Sequence, residues 1–273
     1  MKKHLIIGNP ISHTLSPKLH NYWFEENRIN GNYDKVLLKE NEIESLIKKI
    51  NTKELHGMNV TVPYKQIVIP YLESLSETAK ITNSVNTIFN KDGKIHGDNT
   101  DVFGFQKSLS NNNVDLKNKD VFIFGAGGVV PSIILALTNL NTKKIYLSNR
   151  TLKNANLIKD KFNFIEVIEW GQIINCDLFI NSTSVGLKNN ESLGLKNNES
   201  LGLNFENIKE KKIFYDVIYN PPKTSFLLEA EKNGHKVING RDMFLYQAQK
   251  AFNLWHNLTP NIDDQLINYL YND

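Results

Sequence analysis

Short apolar runs recur along this chain, and between them lie segments whose apolar positions are spaced three and four apart. The first pattern predicts buried strands and the second amphipathic helices. In the first half, strands are expected at 4–7, 33–38 and 57–62, the last stopping at Pro63, with helices over 16–27 and 42–50. Ser16-Pro17 suits the start of the first helix, with Ser as cap and Pro in the first turn. Two further runs, 84–89 and 94–97, flank Lys91-Asp92-Gly93, a hairpin signal because Asp and Gly accept positive φ. Thr100 then opens a helix that fades into Asn111-Asn112-Asn113. The second half alternates more strictly. Strands are expected at 120–124, 144–147, 164–168, 177–181 and 213–217, with helices over 131–140, 152–162, 242–255 and 263–270. Strand–helix–strand crossovers force parallel pairing. The expected class is α/β in two domains separated by a cleft. Residues 1–101 with 242–273 form an α/β substrate domain, and 102–241 form a doubly wound Rossmann-type domain.

The richest local signal lies mid-chain. Val121-Phe122-Ile123-Phe124 runs into Gly125-Ala126-Gly127-Gly128-Val129, and a helix follows. A pyrophosphate can lie against backbone only where no Cβ intervenes, and the helix that follows offers unpaired N–H groups and a partial positive charge. Alone, such a turn is equally a tight structural one. The next expected strand ends in Asn149-Arg150-Thr151, with no Asp or Glu where a ribose 2′-hydroxyl would be held. A guanidinium, an amide and a hydroxyl suit a 2′-phosphate, which points to NADP. The plainer alternative is a solvated Arg150 beside a helix capped by Thr151.

Three polar clusters fall at strand ends of the first half, where ligands of open α/β sheets bind. They are residues 8–17, residues 59–65, and Asn86 together with residues 97–101. Each has a structural alternative. Ser16 serves as a helix cap, Thr61 and Asn86 satisfy local backbone, Lys65 is solvated, and Asp101 caps a helix. Their joint placement beside a dinucleotide unit favours a site.

Composition narrows the class further. Of 273 residues, 40% are hydrophobic, enough for packed cores, and the net charge of +3 is carried by lysines interleaved with acids. That pattern excludes a nucleic-acid stripe. The single cysteine, Cys176, excludes an internal disulfide framework and, lying just before an apolar strand, is expected in the core. Leu5-Ile6-Ile7 is too short a run for a secretion signal, and no segment approaches a membrane span. The expectation is a cytoplasmic protein, monomer or homodimer, acting on a small molecule without metal, nucleic acid or membrane. One octapeptide, residues 186–193, recurs unchanged at 194–201 and reads as a duplicated surface loop.

Taken in order, the motifs resemble those of the shikimate dehydrogenase family over essentially the whole chain. They are GNPISHTLSP at 8–17, NVTVPYK at 59–65, SVNT at 84–87, GDNTDVFG at 97–104, FGAGGV at 124–129 and SNRT at 148–151. NSTSVG at 181–186, DVIYNP at 216–221, and Gly240 with 243–247 complete the set. The resemblance implies reversible NADP-linked reduction of 3-dehydroshikimate to shikimate in aromatic amino-acid biosynthesis. It implies Lys65 and Asp101 at the reacting oxygen, Thr14 and Ser16 at the substrate carboxylate, and Thr61, Asn86 and Gln247 at ring hydroxyls, with Tyr219 nearby. For the cofactor it implies Gly125, Ala126, Gly127, Gly128, Val129, Asn149, Arg150 and Thr151, together with Thr183, Ser184, Val217, Gly240 and Met243. Three departures stand out. Thr14 replaces the commoner serine, Asn154 stands where many members carry a second basic residue, and Arg241-Asp242 follows Gly240 where smaller residues are common.

Overall fold

The apolar run Leu5-Ile6-Ile7 lies in β1 (Lys2–Gly8) and is buried, because this strand is internal: β2 (Gly31–Leu37) and β3 (Gly57–Val60) pair with it in parallel on either side. The coordinates are a computed structural model that describes residues 1–187, 200–205 and 208–271. They divide into two units, Met1–Gly104 with Leu245–Asp273, and Phe105–Phe244.

In the first unit α1 (Ser16–Glu26) links β1 to β2, and α2 (Ile43–Asn51) links β2 to β3. The sequence dictates α2 plainly. Ile43, Ile47 and Ile50 fall on one face and are buried, while Lys48 and Lys49 sit in the last turn, complementing the helix dipole. Two small elements escape the apolar pattern, β4 (Ser74–Leu75) and α3 (Glu77–Thr82). The helix is only six residues long, yet it is well terminated: Ser76 Oγ accepts the Ala79 N–H, and Asn83 closes it in a left-handed conformation. Next comes the expected hairpin, β5 (Thr87–Lys91) and β6 (Lys94–Asp98), antiparallel around Asp92 and Gly93, both at positive φ. The sheet order is β2-β1-β3-β5-β6-β4.

α4 (Asp101–Asn111) leads into the second unit, an all-parallel sheet. Its strands are β7 (Asp120–Phe124), β8 (Lys144–Ser148), β9 (Glu166–Ile168), β10 (Leu178–Asn181), β11 (Ile213–Asp216) and β12 (Lys236–Ile238). Their order, β12-β11-β10-β7-β8-β9, is the doubly wound arrangement whose chain reverses direction between β7 and β10. α5 (Val130–Asn139), α6 (Leu152–Lys161) and α7 (Ser225–Lys232) serve as crossovers; α7 and β12 go beyond the elements expected from the pattern. Phe122, Phe124, Phe179, Phe205, Phe214 and Phe226 make one continuous aromatic core, which also encloses Cys176. Val130, standing where the glycine fingerprint carries a small residue, is fully buried. Most of the doubled octapeptide lies outside the described residues.

α8 (Arg241–His256) and α9 (Asp264–Tyr271) end the chain. The last turns of α8 bring Phe252, Trp255 and His256 against His4, His20 and Phe24 of the first unit. His20 also stacks on Tyr33, with ring centres 4.3 Å apart. Neither ring nitrogen of His4 or His20 has a hydrogen-bond partner. Desolvation first, and the nearby His256 next, holds His4 down to about 2 and His20 to about 3. Among the described residues no helix is long and apolar enough to cross a membrane.

Candidate active site

Four strands of the first unit deliver polar residues to one sheet edge. β1 and β3 are parallel and end there. β5 runs antiparallel to β3, so it begins there, and β6 runs antiparallel to β5, so it ends there. Asn86 therefore precedes its strand instead of lying within one over 84–89, and it reaches the edge through the reversal of β5.

Lys65 lies in the turn after β3, and Asp101 is the first residue of α4. Their charged atoms are 2.6 Å apart, with side chains 13% and 7% exposed. Lys65 is thus a largely buried, paired cation rather than a solvated one. Lys65 Nζ donates to Asp101 Oδ2, and Asn86 Nδ2 donates to Asp101 Oδ1 at 2.9 Å, so each carboxylate oxygen has a donor. Asn99 Oδ1 accepts the Asp101 N–H at 3.0 Å, fixing the start of the helix. Gln247 Oε1 lies 3.4 Å from Asn86 Nδ2. Thr61 is half-buried in the same turn as Lys65, and its N–H bonds the Ile7 carbonyl.

Ser16 departs from its expected role as a cap. Leu15 holds the cap position without a side-chain bond, and Ser16 is buried as the first helical residue. Thr14 Oγ1 donates to Ser16 Oγ at 3.1 Å, and Ser16 in turn donates to the Tyr33 phenolic oxygen. Tyr33 donates to Asn59 Oδ1 at 2.6 Å. Asn59 Nδ2 donates to the Asn86 carbonyl and to Thr87 Oγ1, and Thr87 donates to Asn86 Oδ1. The Asn86 carbonyl can only accept, so it sets the Asn59 amide and, through it, the direction of every hydroxyl back to Ser16. Burial pushes the Tyr33 phenol well above its ordinary pKa, so it remains a donor. One directed array therefore runs from Thr14 to Asp101. Tyr33, Asn59 and Thr87 were not assigned roles from sequence. Their signal is a polar side chain buried on a strand, a rare placement without a hydrogen-bonding purpose.

In the second unit the strand ends flanking the reversal between β7 and β10 carry the expected cofactor residues. Gly125 has φ +101°, and a Cβ there would lie 2.8 Å from Thr183 Cγ2, so the fold itself requires glycine. At Gly128 a Cβ would meet nothing within 4 Å, and at Gly127 only the Ser182 carbonyl at 3.7 Å. The protein does not demand glycine at these two, and the open space above the turn is what a close-lying phosphate needs. α5 starts at Val130 with no side-chain cap; the Val130 and Ser132 N–H groups bond the Gly127 and Val129 carbonyls and Pro131 has none, so what the helix offers an anion is the positive end of its dipole. The residues present thus fit a dinucleotide.

Asn149 Oδ1 accepts the Ala126 N–H at 3.1 Å, and Asn149 Nδ2 donates to the Thr151 carbonyl at 2.8 Å, so this amide braces the turn. Thr151 occupies the cap position of α6, but its hydroxyl makes no cap bond. Arg150 is exposed beside it. Thr183 donates through both N–H and hydroxyl to Asn181 Oδ1, and Ser184 is exposed next to it. A Cβ on Gly240 would strike the Val217 carbonyl oxygen, so glycine there is a packing requirement. Met243 is buried. Tyr219 lies in this unit and stacks on Phe244 with ring centres 4.5 Å apart. Asp242, one of the departures from the family pattern, is buried and accepts from the amides of Asn111 and Asn112.

Asp216, at the end of β11, is fully buried. Its Oδ2 accepts from Thr224 Oγ1 at 2.6 Å and Asn181 Nδ2 at 3.0 Å, and its Oδ1 accepts the Ile218 N–H at 2.9 Å. Burial pushes its pKa up to about 6, against the pull of these donors.

A family model described as the shikimate dehydrogenase substrate binding domain matches residues 6–88. A shikimate dehydrogenase (NADP(+)) from Pelagibacter ubique is 51% identical over 269 residues, covering 98% of both chains. The crystal structure of a shikimate dehydrogenase from Aquifex aeolicus superposes with TM-score 0.87 at 30% identity, covering 100% of this chain and 98% of that one. A shikimate 5-dehydrogenase from Listeria monocytogenes, solved with shikimate and NAD, gives TM-score 0.87 at 29% identity over 99% of this chain and 96% of the other.

Proposed function

Since the chain belongs to the shikimate dehydrogenase family, we propose that it catalyses the reversible NADP-linked reduction of 3-dehydroshikimate to shikimate in aromatic amino-acid biosynthesis. The first unit binds the substrate and the second the cofactor. The observation that carries this reading is the largely buried Lys65–Asp101 pair, 2.6 Å apart, at an edge lined with neutral donors and acceptors.

Bound NADPH supplies the hydride. The protein must supply the proton and stabilise charge growing on the carbonyl oxygen. Lys65 is the group for both. Its ammonium donates a proton to that oxygen as the carbon is reduced, and takes it back in the reverse direction. Asp101 keeps the ammonium aimed and is itself held by Asn86. Thr14 and Ser16 offer two hydroxyls to the substrate carboxylate; for this their protons rotate away from Ser16 and Tyr33, where they point in the free protein. Thr61, Asn86 and Gln247 take the ring hydroxyls, with Tyr219 adjoining. Gly125, Ala126, Gly127, Gly128 and Val129 receive the pyrophosphate. Arg150 and Thr151 receive the 2′-phosphate, on a loop that Asn149 holds in shape. Thr183, Ser184, Val217, Gly240 and Met243 shape the nicotinamide end.

The test is a steady-state assay of nicotinamide reduction that offers shikimate and quinate with NADP and with NAD. Shikimate with NADP should give the highest kcat/KM. Lys65→Ala should lower kcat by about 100-fold or more, the scale of a positioned acid–base group. Unchanged turnover would remove Lys65 from the proton path.

A further inference from the structure

Asp216 belongs to no step above, yet it is a fully buried carboxylate that touches two loops of the second unit. It accepts three hydrogen bonds, one each from Thr224, Asn181 and the Ile218 backbone. The Asn181 bond matters most. By binding the Nδ2 side of that amide, Asp216 turns Oδ1 toward Thr183, whose N–H and hydroxyl both donate to it at 3.0 and 2.7 Å. Thr183 Oγ1 then accepts the Val185 N–H, closing the turn after β10. The Ile218 bond shapes the loop after β11, which carries Val217 and Tyr219. We propose that Asp216 is a positioning residue for cofactor binding, setting the turn after β10 through Asn181 and the loop after β11 through the Ile218 N–H. The proposal rests on the reading that Thr183, Ser184 and Val217 border the cofactor.

The chemistry makes it sharply testable, because the three partners are donors and only a carboxylate can accept from all of them. In Asp216→Asn the new amide has one oxygen. If that oxygen faces Ile218, the NH2 group meets Asn181 Nδ2, donor against donor. If it faces Asn181, the NH2 group meets the Ile218 N–H. Either orientation leaves a buried clash, and one loop must shift. Adding Asn181→Asp reverses the polarity of the contact. The position-216 amide then donates to the position-181 carboxylate, which still accepts both bonds from Thr183. Thr224 can accept where it formerly donated. The one contact that suffers is the 3.3 Å bond from Asn181 to the Val185 carbonyl, where a carboxylate oxygen would face that carbonyl.

The experiment is direct fluorescence titration of NADPH, and separately of NADH, into wild type, Asp216→Asn and the Asp216→Asn/Asn181→Asp pair. Asp216→Asn should weaken both cofactors about 10-fold, the scale of one unsatisfied buried group. The paired variant should bind within about threefold of wild type. Unchanged binding by Asp216→Asn would overturn the proposal, and so would a weakened Asp216→Asn that the second substitution fails to rescue. If Asp216→Asn does not fold, the paired variant decides alone: native-like binding supports the proposal and weak binding by a folded protein overturns it. A wild-type chain that binds no NADPH would instead bring down the cofactor reading itself, and this proposal with it.

Discussion

Acidification from about pH 7.5 to about pH 5 should remove about 4 kcal/mol of stability through two buried rings, His4 and His20. Both are neutral in the folded protein, held down to about 2 and about 3 by desolvation first and by His256 next. The unfolded chain protonates each near the ordinary value of about 6.5. A proton bound only by the unfolded state withdraws stability below that value, so stability is complete above pH 6.5 and is lost as pH falls. At pH 5 each ring contributes RT ln(1 + 10^1.5), about 2 kcal/mol, and this depends on the unfolded value alone because both folded values lie well below 5. The groups that face the two rings, Lys2, His56 and His256, are cationic when charged, so none of them would shelter a proton. A loss of about 4 kcal/mol is a large part of the roughly 5–15 kcal/mol that holds a domain folded. The assay is urea unfolding at both pH values, followed by tryptophan fluorescence; Trp23 and Trp255 pack directly on these rings. His20→Leu removes one ring. Carboxylates titrate alike in both proteins, so the variant should lose about 2 kcal/mol less than wild type on acidification. Equal losses would refute a buried, neutral His20.

Two further substitutions test the second unit. Gly240→Ala would drive a methyl carbon to 2.1 Å from the Val217 carbonyl oxygen, and should cost roughly 2–3 kcal/mol in urea unfolding; a protein as stable as wild type would mean that this backbone yields freely. Arg150→Ala should weaken NADPH about 10- to 100-fold by titration, the worth of a charge-assisted pair, and NADH less than about threefold. Equal loss for both cofactors would rule out a 2′-phosphate contact.

The parts of the fold that apolar periodicity governs were legible beforehand. β10 is buried along its length, β1, β7 and β8 are buried beyond their first one or two residues, and α2 repeats isoleucine on one face. The Asp92-Gly93 turn carried its own conformational signal. What escaped was short or polar. α3 has six residues and depends on caps at Ser76 and Asn83, and β12 has only three residues at a sheet edge. At the site, Lys65 and Asp101 stood out as charges at expected strand ends, but their pairing is a tertiary fact. Tyr33 is 26 residues from Asn59 and Asn181 is 35 from Asp216. No local pattern in one chain encodes such contacts. The alternative roles for Ser16 and Lys65 failed for the same reason: the capping of α1 and the solvation of Lys65 were judged locally, whereas burial against distant strands decided both.

The brace formed by Asn149 bears on any attempt to retune this protein for a different dinucleotide. One amide spans the gap between the glycine turn and the chain leaving β8, holding the Ala126 N–H on one side and the Thr151 carbonyl on the other. The stretch proposed to meet the ribose 2′-phosphate is therefore fastened to the turn proposed to receive the diphosphate. On the proposed reading, exchanging Arg150 and Thr151 would alter selectivity and leave the fastening, which uses only the Thr151 backbone, in place. Randomising Asn149 along with them would loosen the cradle in most of the library, and clones with the desired preference would be discarded for weak affinity at the opposite end of the same ligand.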